Sequence, residues 1–133
     1  MSEGFKLEII NPEKSFLSKD GVSEVVVPAF EGDMGILKDH ISIISFLRPG
    51  LLRIIDSKSS EETFYVEDGI IEFKNNCLSV LTSNIFDIKK IDKNKVRDIL
   101  VKAEKEGQNP KISDQAKYLV NHKIEVLKSL TLN

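Results

Sequence analysis

Apolar and polar residues alternate with a period of two along the first two thirds of the chain. Residues 5–9 read Phe-Lys-Leu-Glu-Ile, which is the pattern of a strand that buries one face. Similar short runs continue to residue 89 and are separated by turn residues such as Asp20-Gly21, Asp68-Gly69 and Asn75-Asn76. We therefore predict about ten strands before residue 90, a density typical of an all-β sandwich or barrel.

Residues 30–54 concentrate the glycine and proline signals of the chain. Gly32 and Gly35 suit backbone with positive φ or a close approach between chain segments, so residues 31–35 are predicted to form a loop. Pro49-Gly50 fits the central positions of a type II turn. Earlier in the chain, Asp20-Gly21 predicts a hairpin turn between two separate strands. We expect these loops to lie at the ends of a rigid sandwich, where loops are suited to recognition.

Two apolar stripes with helical spacing follow residue 91, where the period of two ends. The first consists of Val96, Ile99, Leu100 and Ala103, and the second of Ala116, Leu119, Val120, Ile124 and Leu127. This spacing places each set on one face of a helix. Asp92 is a candidate N-cap of the first helix, and Ser113 or Asp114 of the second. Two such helices joined by a short loop are predicted to form an antiparallel hairpin.

The predicted fold class is thus a ten-stranded β-sandwich followed by a C-terminal antiparallel two-helix hairpin. We assign residues 1–90 to the β-sandwich domain and residues 91–133 to the helical hairpin domain. If the two helical stripes pack against each other, little apolar surface remains to fasten the hairpin to the sandwich. We therefore expect a weakly held hairpin whose two positions differ by only a few kcal/mol.

The charges are unevenly divided between the two predicted domains. The whole chain has a formal net charge of −2, which gives no global basic field for nucleic acid. Residues 1–90 carry 10 Lys and Arg against 15 Asp and Glu, whereas residues 91–133 carry 9 against 6. The hairpin is therefore basic, with Lys117, Lys123 and Lys128 on its second helix, and it suits an acidic partner surface.

Residue types with catalytic or metal-binding chemistry are sparse. The single cysteine, Cys77, excludes an internal disulfide, and the two histidines, His40 and His122, stand in no metal-binding pattern. Gly32 and Gly35 are not followed by the Gly-Lys-Ser/Thr of a phosphate loop. We predict no active site and no metal site. The N-terminus lacks a long apolar run, so membrane association is expected only through partners.

These observations leave two classes of function open. One is an interaction module made of a β domain and a basic hairpin. The alternative is a small-ligand or carbohydrate-binding β-sandwich with a helical appendage, or a sandwich enzyme. The alternative requires a concave pocket with convergent polar groups.

Three stretches in register carry a more specific pattern. Residues 31–36 read Glu-Gly-Asp-Met-Gly-Ile, His40 follows, and residues 48–54 read Arg-Pro-Gly-Leu-Leu-Arg-Ile. Together they resemble the epsilon subunit of bacterial F-type ATP synthases, whose mitochondrial counterpart is called delta. Residues 69–73 resemble a later Gly-x-Leu-Glu-Val strand, and Ile91-Asp92 resembles the start of the family's helical hairpin. Residues 39–43 depart from the family's Gly-His-Ala-Pro-Leu.

The resemblance implies a non-catalytic rotor subunit in the central stalk of the F1 sector. Such a subunit couples the c-ring to the gamma subunit and regulates ATP hydrolysis through its C-terminal helices. The implied partners are the gamma subunit, the c-ring and, when the hairpin is extended, the alpha/beta catalytic head. The implied location is peripheral, at the cytoplasmic face of the bacterial inner membrane.

Three sets of residues receive expected roles from this resemblance. The c-ring contact is expected at Glu31, Gly32, Asp33, Met34, Gly35 and His40. The gamma contact is expected on strands with two apolar faces, at Ile41, Ile43, Ile44, Phe46, Ile70 and Ile71. Regulation is expected to involve Asp92, Lys95, Lys117, Lys123 and Lys128.

Some bacterial members of the family bind ATP through an Ile/Leu-Asp-x-x-Arg-Ala motif at the first helix. Here residues 91–96 read Ile-Asp-Lys-Asn-Lys-Val. Lys95 keeps the positive charge but lacks the planar, bidentate donors of the arginine. We predict no cofactor, with weak ATP binding at the hairpin as the alternative.

Overall fold

The computed structural model describes residues 4–131, which fold into a wrapped β-sheet followed by two helices. The strands are β1 Phe5–Asn11, β2 Lys14–Ala29, β3 Gly32–Leu37, β4 Ile43–Leu47, β5 Gly50–Asp56, β6 Glu61–Val66, β7 Gly69–Lys74, β8 Cys77–Thr82 and β9 Ile85–Asp87. The helices are α1 Lys93–Gly107 and α2 Asp114–Thr131. Residues 1–3 and 132–133, the outer ends of the two predicted domains, lie outside the described residues.

The strands form one hydrogen-bonded sheet that is wrapped into two layers. Its order is β1-β8-β7-β4-β2-β5-β6-β9, with β3 paired to β2. β1 pairs antiparallel with β2 and parallel with β8. The layers enclose a core of buried apolar side chains that includes Leu7, Val25, Leu52, Phe64 and Phe73. The predicted sandwich with a C-terminal helix pair is confirmed.

The hairpin turn predicted at Asp20-Gly21 is wrong, because β2 is a single strand of 16 residues. Gly21 has a φ of 69°, a left-handed conformation that bends the strand without ending it. Beside it, Val22 pairs with Phe5 of β1 on one side and with Asp56 of β5 on the other, and both pairings shift register here. The bend merges two predicted strands, so the described residues contain nine strands rather than ten.

The type II turn predicted at Pro49-Gly50 is also wrong. Gly50 begins β5 and does not adopt a positive φ. A Cβ on Gly50 would lie 2.7 Å from Cβ of Pro28, so the glycine is needed for a close approach between segments. The turn predicted at Asn75-Asn76 is confirmed, since both residues have positive φ, 51° and 54°, as a type I′ hairpin turn requires.

Both helices begin where the sequence predicts. Asp92 is the N-cap of α1, and its Oδ1 accepts a hydrogen bond of 2.9 Å from the backbone N of Asn94. The Ser113 hydroxyl accepts a bond of 3.1 Å from the backbone N of Ala116 and caps α2 in the same way. Neither helix combines the length and the apolar character needed to span a membrane, within the part of the chain that the structure describes.

The hairpin is docked on the sandwich, so the expectation that little apolar surface remains to fasten it is wrong. Strands β5, β6 and β9 lie side by side in one layer of the sheet. On its outer face Leu51, Tyr65 and Phe86 are neighbours and form an apolar row, which we call the covered row. Val96 of α1 and Leu127 of α2 pack on it, and Tyr65, Val96 and Leu127 are at most 1% exposed. The prediction failed because it counted only the contact between the two helices.

Candidate functional site

A second apolar row lies on the outer face of the other layer and remains exposed. Phe46 of β4 pairs with Ile70 of β7, Ile70 pairs with Leu81 of β8, and Leu81 pairs with Ile10 of β1. These four side chains, in that order, are 64%, 40%, 51% and 37% exposed. Neighbouring strands lie about 4.8 Å apart, so this open row is a strip about 14 Å wide. A continuous exposed apolar strip is typical of a protein interface.

The structure divides the six residues predicted to contact the gamma subunit. Phe46 and Ile70 belong to the open row, and Ile41 and Ile44 are also exposed, at 77% and 68%. Ile71 is fully buried and Ile43 packs against the core, so the prediction is wrong for these two. Consecutive strand residues point to opposite faces of a sheet, and each pair of isoleucines therefore has one member inside and one outside.

Leu81 and Ile10 of the open row were missed by the sequence reasoning. Each directly follows a buried residue of its own strand, Val80 and Ile9, so each occupies an outward position. They could have been identified from the sequence, because each is an apolar residue at a position where the alternation of the strand predicts a polar one. Two apolar residues in succession on an otherwise alternating strand predict a strand with both faces covered in the assembled state.

A groove of about 450 Å³ extends from the open row to helix α2. Phe46 and Ile70 line it on the side of the sheet, Phe30 at one end, and Leu119 on the side of α2. The docked hairpin thus forms one wall of the groove. A partner that covers the open row therefore also meets the hairpin.

The structure separates the residues predicted to form one c-ring loop. Phe30 and Glu31 make the turn between β2 and β3, whereas β3 itself contains Gly32, Asp33, Met34 and Gly35. His40 follows the opposite end of β3. At about 3.3 Å per residue, the six residues of β3 hold these two regions about 17 Å apart. The prediction of a single exposed tip made of residues 31–35 and His40 is therefore wrong.

His40 is held in the loop between β3 and β4. Its ring packs edge-on against Phe73, with the ring centroids 5.9 Å apart, and its Nδ1 lies 2.7 Å from the carbonyl oxygen of Ile41. Since a carbonyl oxygen only accepts, Nδ1 is the donor of this bond. The backbone N of Asp39 donates to Oδ1 of Asn76 at 2.7 Å. These contacts fix the loop to the β7–β8 turn.

Polar contacts join α2 to the loops at the other end of β3. The Tyr118 hydroxyl donates a hydrogen bond of 2.6 Å to the carbonyl oxygen of Phe30, and the two rings are in contact with centroids 4.8 Å apart. Nη1 of Arg48, in the β4–β5 loop, lies 3.1 Å from the Tyr118 hydroxyl and 3.2 Å from Nε2 of His122. Helix α2 is therefore attached to the turn at Phe30.

An ion pair also joins the hairpin to the sandwich. Oε2 of Glu67 lies 2.8 Å from Nζ of Lys123 and accepts a bond of 3.0 Å from the Tyr65 hydroxyl. Burial raises the pKa of the Tyr65 hydroxyl, and the negative charge of Glu67 raises it further. The Lys123 and Glu67 side chains are 20% and 13% exposed, so this pair is largely removed from water.

The five residues predicted to take part in regulation have different surroundings in the docked hairpin. Asp92 caps α1, and Nζ of Lys95 lies 4.4 Å from the centroid of the Phe86 ring, a cation–π contact. Lys117 and Lys128 are exposed, whereas Lys123 is paired with Glu67. The basic surface predicted for α2 is therefore reduced to Lys117 and Lys128 while the hairpin is docked.

The residues of the ATP motif line an open cavity of about 560 Å³ at the start of α1. Ile91, Asp92 and Lys95 form part of its wall together with Phe86. The Asp92 carboxylate accepts the capping bond and the Lys95 ammonium lies over Phe86, so both charged groups of the motif are engaged within the chain. No group of three or more His, Cys, Asp or Glu side chains among residues 4–131 is arranged to hold a metal ion.

Comparison with known proteins decides which class of protein has this architecture. A family profile described as the beta-sandwich domain of the ATP synthase delta/epsilon chain matches residues 4–88. The chain is 68% identical over 130 residues to the ATP synthase epsilon chain of Pelagibacter ubique (strain HTCC1062), covering 98% of this chain and 99% of that one. The chain belongs to the ATP synthase delta/epsilon family. The predicted function, a non-catalytic epsilon-type subunit of an ATP synthase, is confirmed, and it replaces the alternative of a ligand-binding sandwich.

Two solved structures have the same fold over the hairpin as well as the sandwich. A chain of the Euglena gracilis mitochondrial ATP synthase, in a cryo-EM structure of OSCP, F1 and c-ring, matches with a TM-score of 0.74 and 18% identity, covering 97% of this chain and 80% of that chain. A chain of the Tetrahymena thermophila mitochondrial ATP synthase, in a structure of the central stalk and c-ring, matches with a TM-score of 0.65 and 19% identity over 95% of both chains. Both solved chains therefore share the fold of this chain, including the two C-terminal helices.

Proposed function

We propose that this chain joins the gamma subunit to the c-ring in the central stalk of a bacterial F-type ATP synthase, and that its hairpin regulates ATP hydrolysis by the catalytic head. The sandwich forms the coupling domain, residues 1–90, and the hairpin forms the regulatory domain, residues 91–133. The named partners come from the family and from the c-ring and central-stalk assemblies of the structural relatives.

The gamma subunit covers the open row, and this row is the observation that carries the proposal. Residues 4–131 form two apolar rows on the outer faces of the sheet, and of these two the one at Leu51, Tyr65 and Phe86 is covered by the helices. Covering these partly exposed side chains removes their remaining apolar surface from water, which favours association. The open row and its flanking Ile44 therefore provide an apolar surface suited to contact with a subunit of the same rotor.

The c-ring contact lies at the turn formed by Phe30 and Glu31. This turn is at the tip of the β2–β3 hairpin, where Ala29 pairs with Gly32, and Glu31 is exposed. Gly32 has a φ of 147°, a conformation that L-residues rarely adopt. A turn of fixed shape with an exposed carboxylate is suited to a polar loop of another subunit. His40 lies outside this contact and supports the β3–β4 loop instead.

The hairpin regulates hydrolysis by leaving the sandwich. In the docked position Lys123 is neutralised by Glu67, whereas a released helix presents Lys117, Lys123 and Lys128 together. Three positive charges along one helix suit an acidic surface of the catalytic head. The complex acts from the cytoplasmic face of the bacterial inner membrane, to which this chain is attached through its partners, as expected for an epsilon-type chain with a relative in a bacterium.

The proposal is tested by the affinity of the chain for the purified gamma subunit. Ile70→Asp or Phe46→Asp places a charge in the open row, and we expect either substitution to weaken binding by about 100-fold or more. Ser57→Asp is the matched control, because Ser57 is exposed in the β5–β6 turn of the other layer. Wild-type affinity in both Ile70→Asp and Phe46→Asp, in chains whose circular dichroism is unchanged, would remove the open row as the gamma contact.

A further inference from the structure

The turn at Phe30 and Glu31 is held by helix α2 as well as by its own sheet. The Tyr118 hydroxyl donates a hydrogen bond of 2.6 Å to the carbonyl oxygen of Phe30, and the two rings are in contact with centroids 4.8 Å apart. On the other side, the backbone N of Phe30 donates a bond of 2.8 Å to the carbonyl oxygen of Phe46 in β4. One backbone group of Phe30 is therefore engaged by the sandwich and the other by the hairpin.

Arg48 fixes the direction of the Tyr118 hydroxyl. Because the single hydroxyl proton is donated to Phe30, the Tyr118 oxygen accepts the bond of 3.1 Å from Nη1 of Arg48. The backbone N of Arg48 in turn donates a bond of 3.0 Å to the carbonyl oxygen of Pro28, which belongs to the strand leading into the turn. Phe30, Arg48 and Tyr118 thus form a connected set of contacts between the turn and α2, which we call the brace.

The turn needs support from outside the hairpin of β2 and β3, because its backbone differs from the one that two-residue hairpins favour. Type I′ and II′ turns predominate there, and the first central residue of each has a positive φ. Asn75 and Asn76 meet this requirement at the β7–β8 turn, whereas neither Phe30 nor Glu31 has a positive φ. The contacts of the brace therefore contribute to the shape of the β2–β3 turn.

We propose that the docked helix α2 sets the shape of the turn that meets the c-ring, so that docking of the hairpin and contact with the c-ring favour each other. When the hairpin leaves the sandwich, the Phe30 carbonyl loses the Tyr118 hydroxyl, and the Phe30 ring loses the ring that it packs against. A c-ring loop that fits the supported turn binds the docked chain more tightly than the released one. By linkage, a bound c-ring favours docking to the same extent.

This inference rests on the proposed c-ring contact and on the proposed release of the hairpin, and it names the residues that connect them. Tyr118 and Arg48 are positioning residues in this account, because they act on the c-ring through the turn. A chain detached from its c-ring is expected to release the hairpin more readily than an attached one.

The support of the turn is tested in the isolated full chain by amide hydrogen exchange, measured by NMR. The Phe30 amide bonds to Phe46 across the base of the turn, so its exchange rate reports how often the turn opens. Tyr118→Phe keeps the ring and removes the hydroxyl, and we expect the Phe30 amide to exchange about fivefold faster, as the loss of one hydrogen bond predicts. The Ser57 amide, which bonds to the carbonyl oxygen of Gly21, is expected to keep its rate.

Tyr65→Phe is the matched control for this experiment, because it removes a hydroxyl whose partner, Glu67, belongs to the sandwich. We expect it to leave the exchange rate of the Phe30 amide unchanged. An unchanged rate in Tyr118→Phe, or an equal increase in both variants, would overturn the brace. The c-ring is absent from this measurement, so its outcome does not depend on the proposed c-ring contact.

The link to the c-ring is tested by photocrosslinking in assembled complexes that contain equal amounts of each variant chain. A benzoylphenylalanine in place of Asp33, which is exposed beside the turn, leaves Phe30 and Glu31 intact. We expect the yield of c-ring crosslinks to fall about fivefold in Tyr118→Phe and to stay at the wild-type level in Tyr65→Phe. An unchanged yield in Tyr118→Phe would overturn the link between docking and the c-ring. Absence of c-ring crosslinks even with Tyr118 in place would instead overturn the proposed c-ring contact itself.

Discussion

Lys123 of α2 places its Nζ 2.8 Å from Oε2 of Glu67, so a charge on the hairpin meets a charge on the sandwich. The same carboxylate oxygen accepts the hydrogen bond of Tyr65, whose ring lies beneath the helices. The pair is therefore specific to the docked position. It also withdraws one of the three lysines through which α2 is proposed to meet the catalytic head.

Removing this ion pair is expected to weaken docking. Lys123→Met keeps most of the length of the side chain and leaves Glu67 without its cationic partner, which should lower the free energy of unfolding by about 1–2 kcal/mol. Urea denaturation followed by circular dichroism measures the change. Lys117→Met is the matched control on an exposed position of the same helix. Equal stability of the two variants would show that the pair contributes nothing to docking.

Tyr65 makes the stability of the chain depend on pH at the alkaline end. Its pKa is raised in the folded state from a value of 10.0, so above about pH 10 the unfolded chain binds fewer protons than the folded one. Stability is therefore unaffected by Tyr65 at neutral pH and falls as the pH rises past 10. The difference in tyrosinate absorbance between wild type and Tyr65→Phe isolates this residue. An ionised Tyr65 in a chain that is still folded near pH 10 would contradict its burial.

The helices show how much of this fold local sequence can specify. Asp92 and Ser113 cap the helices at the predicted positions, because a cap depends on residues within one turn of it. The turn at Asp20-Gly21 could not be predicted in the same way. A glycine with positive φ serves a hairpin turn or a bend in a continuous strand equally well, and the pairing of β2 with both β1 and β5 decides between them.

The candidate site was predicted in part for a related reason. Phe46 and Ile70 are exposed, as the predicted contact requires, but Ile71, predicted for the same contact, is buried, and the exposed Leu81 was missed. Which residue faces outward depends on the phase of the alternation, and because both Ile70 and Ile71 are apolar, the sequence does not show which of the two faces the core. The docking of the hairpin depends on the row of Leu51, Tyr65 and Phe86, whose members come together only when three strands pair.

Gly69 is expected to be intolerant of a side chain. A Cβ there would overlap the carbonyl oxygen of Leu81 and lie 2.9 Å from Cα of Thr82, so backbone of β8 would have to move. Gly69→Ala should lower the free energy of unfolding by about 2–3 kcal/mol. Gly35→Ala is the control, because its Cβ would meet only the flexible end of Glu24, at 3.1 Å from Oε2. Similar losses in the two variants would show that the β7–β8 approach is not the constraint.

Ending the chain after Ile91 is expected to separate coupling from regulation. The truncated chain keeps the open row and the turn at Glu31, so it should still assemble and support ATP synthesis. ATP hydrolysis by the isolated complex should rise, because the helices that are proposed to restrain it are absent. The covered row becomes exposed, so the free truncated chain should bind more of a hydrophobic dye than the full chain does. Loss of assembly, or unchanged hydrolysis, would contradict the division of roles.

The central claim, that the gamma subunit covers the open row, is tested most directly by photocrosslinking within the assembled ATP synthase. A benzoylphenylalanine in place of Ile70 stands in the middle of the row, and one in place of Val101, an exposed apolar residue of α1, serves as the control. We predict that the probe at position 70 crosslinks to the gamma subunit and that the probe at position 101 does not. Crosslinks from position 70 to the c-ring or the catalytic head, without any to gamma, would contradict the account.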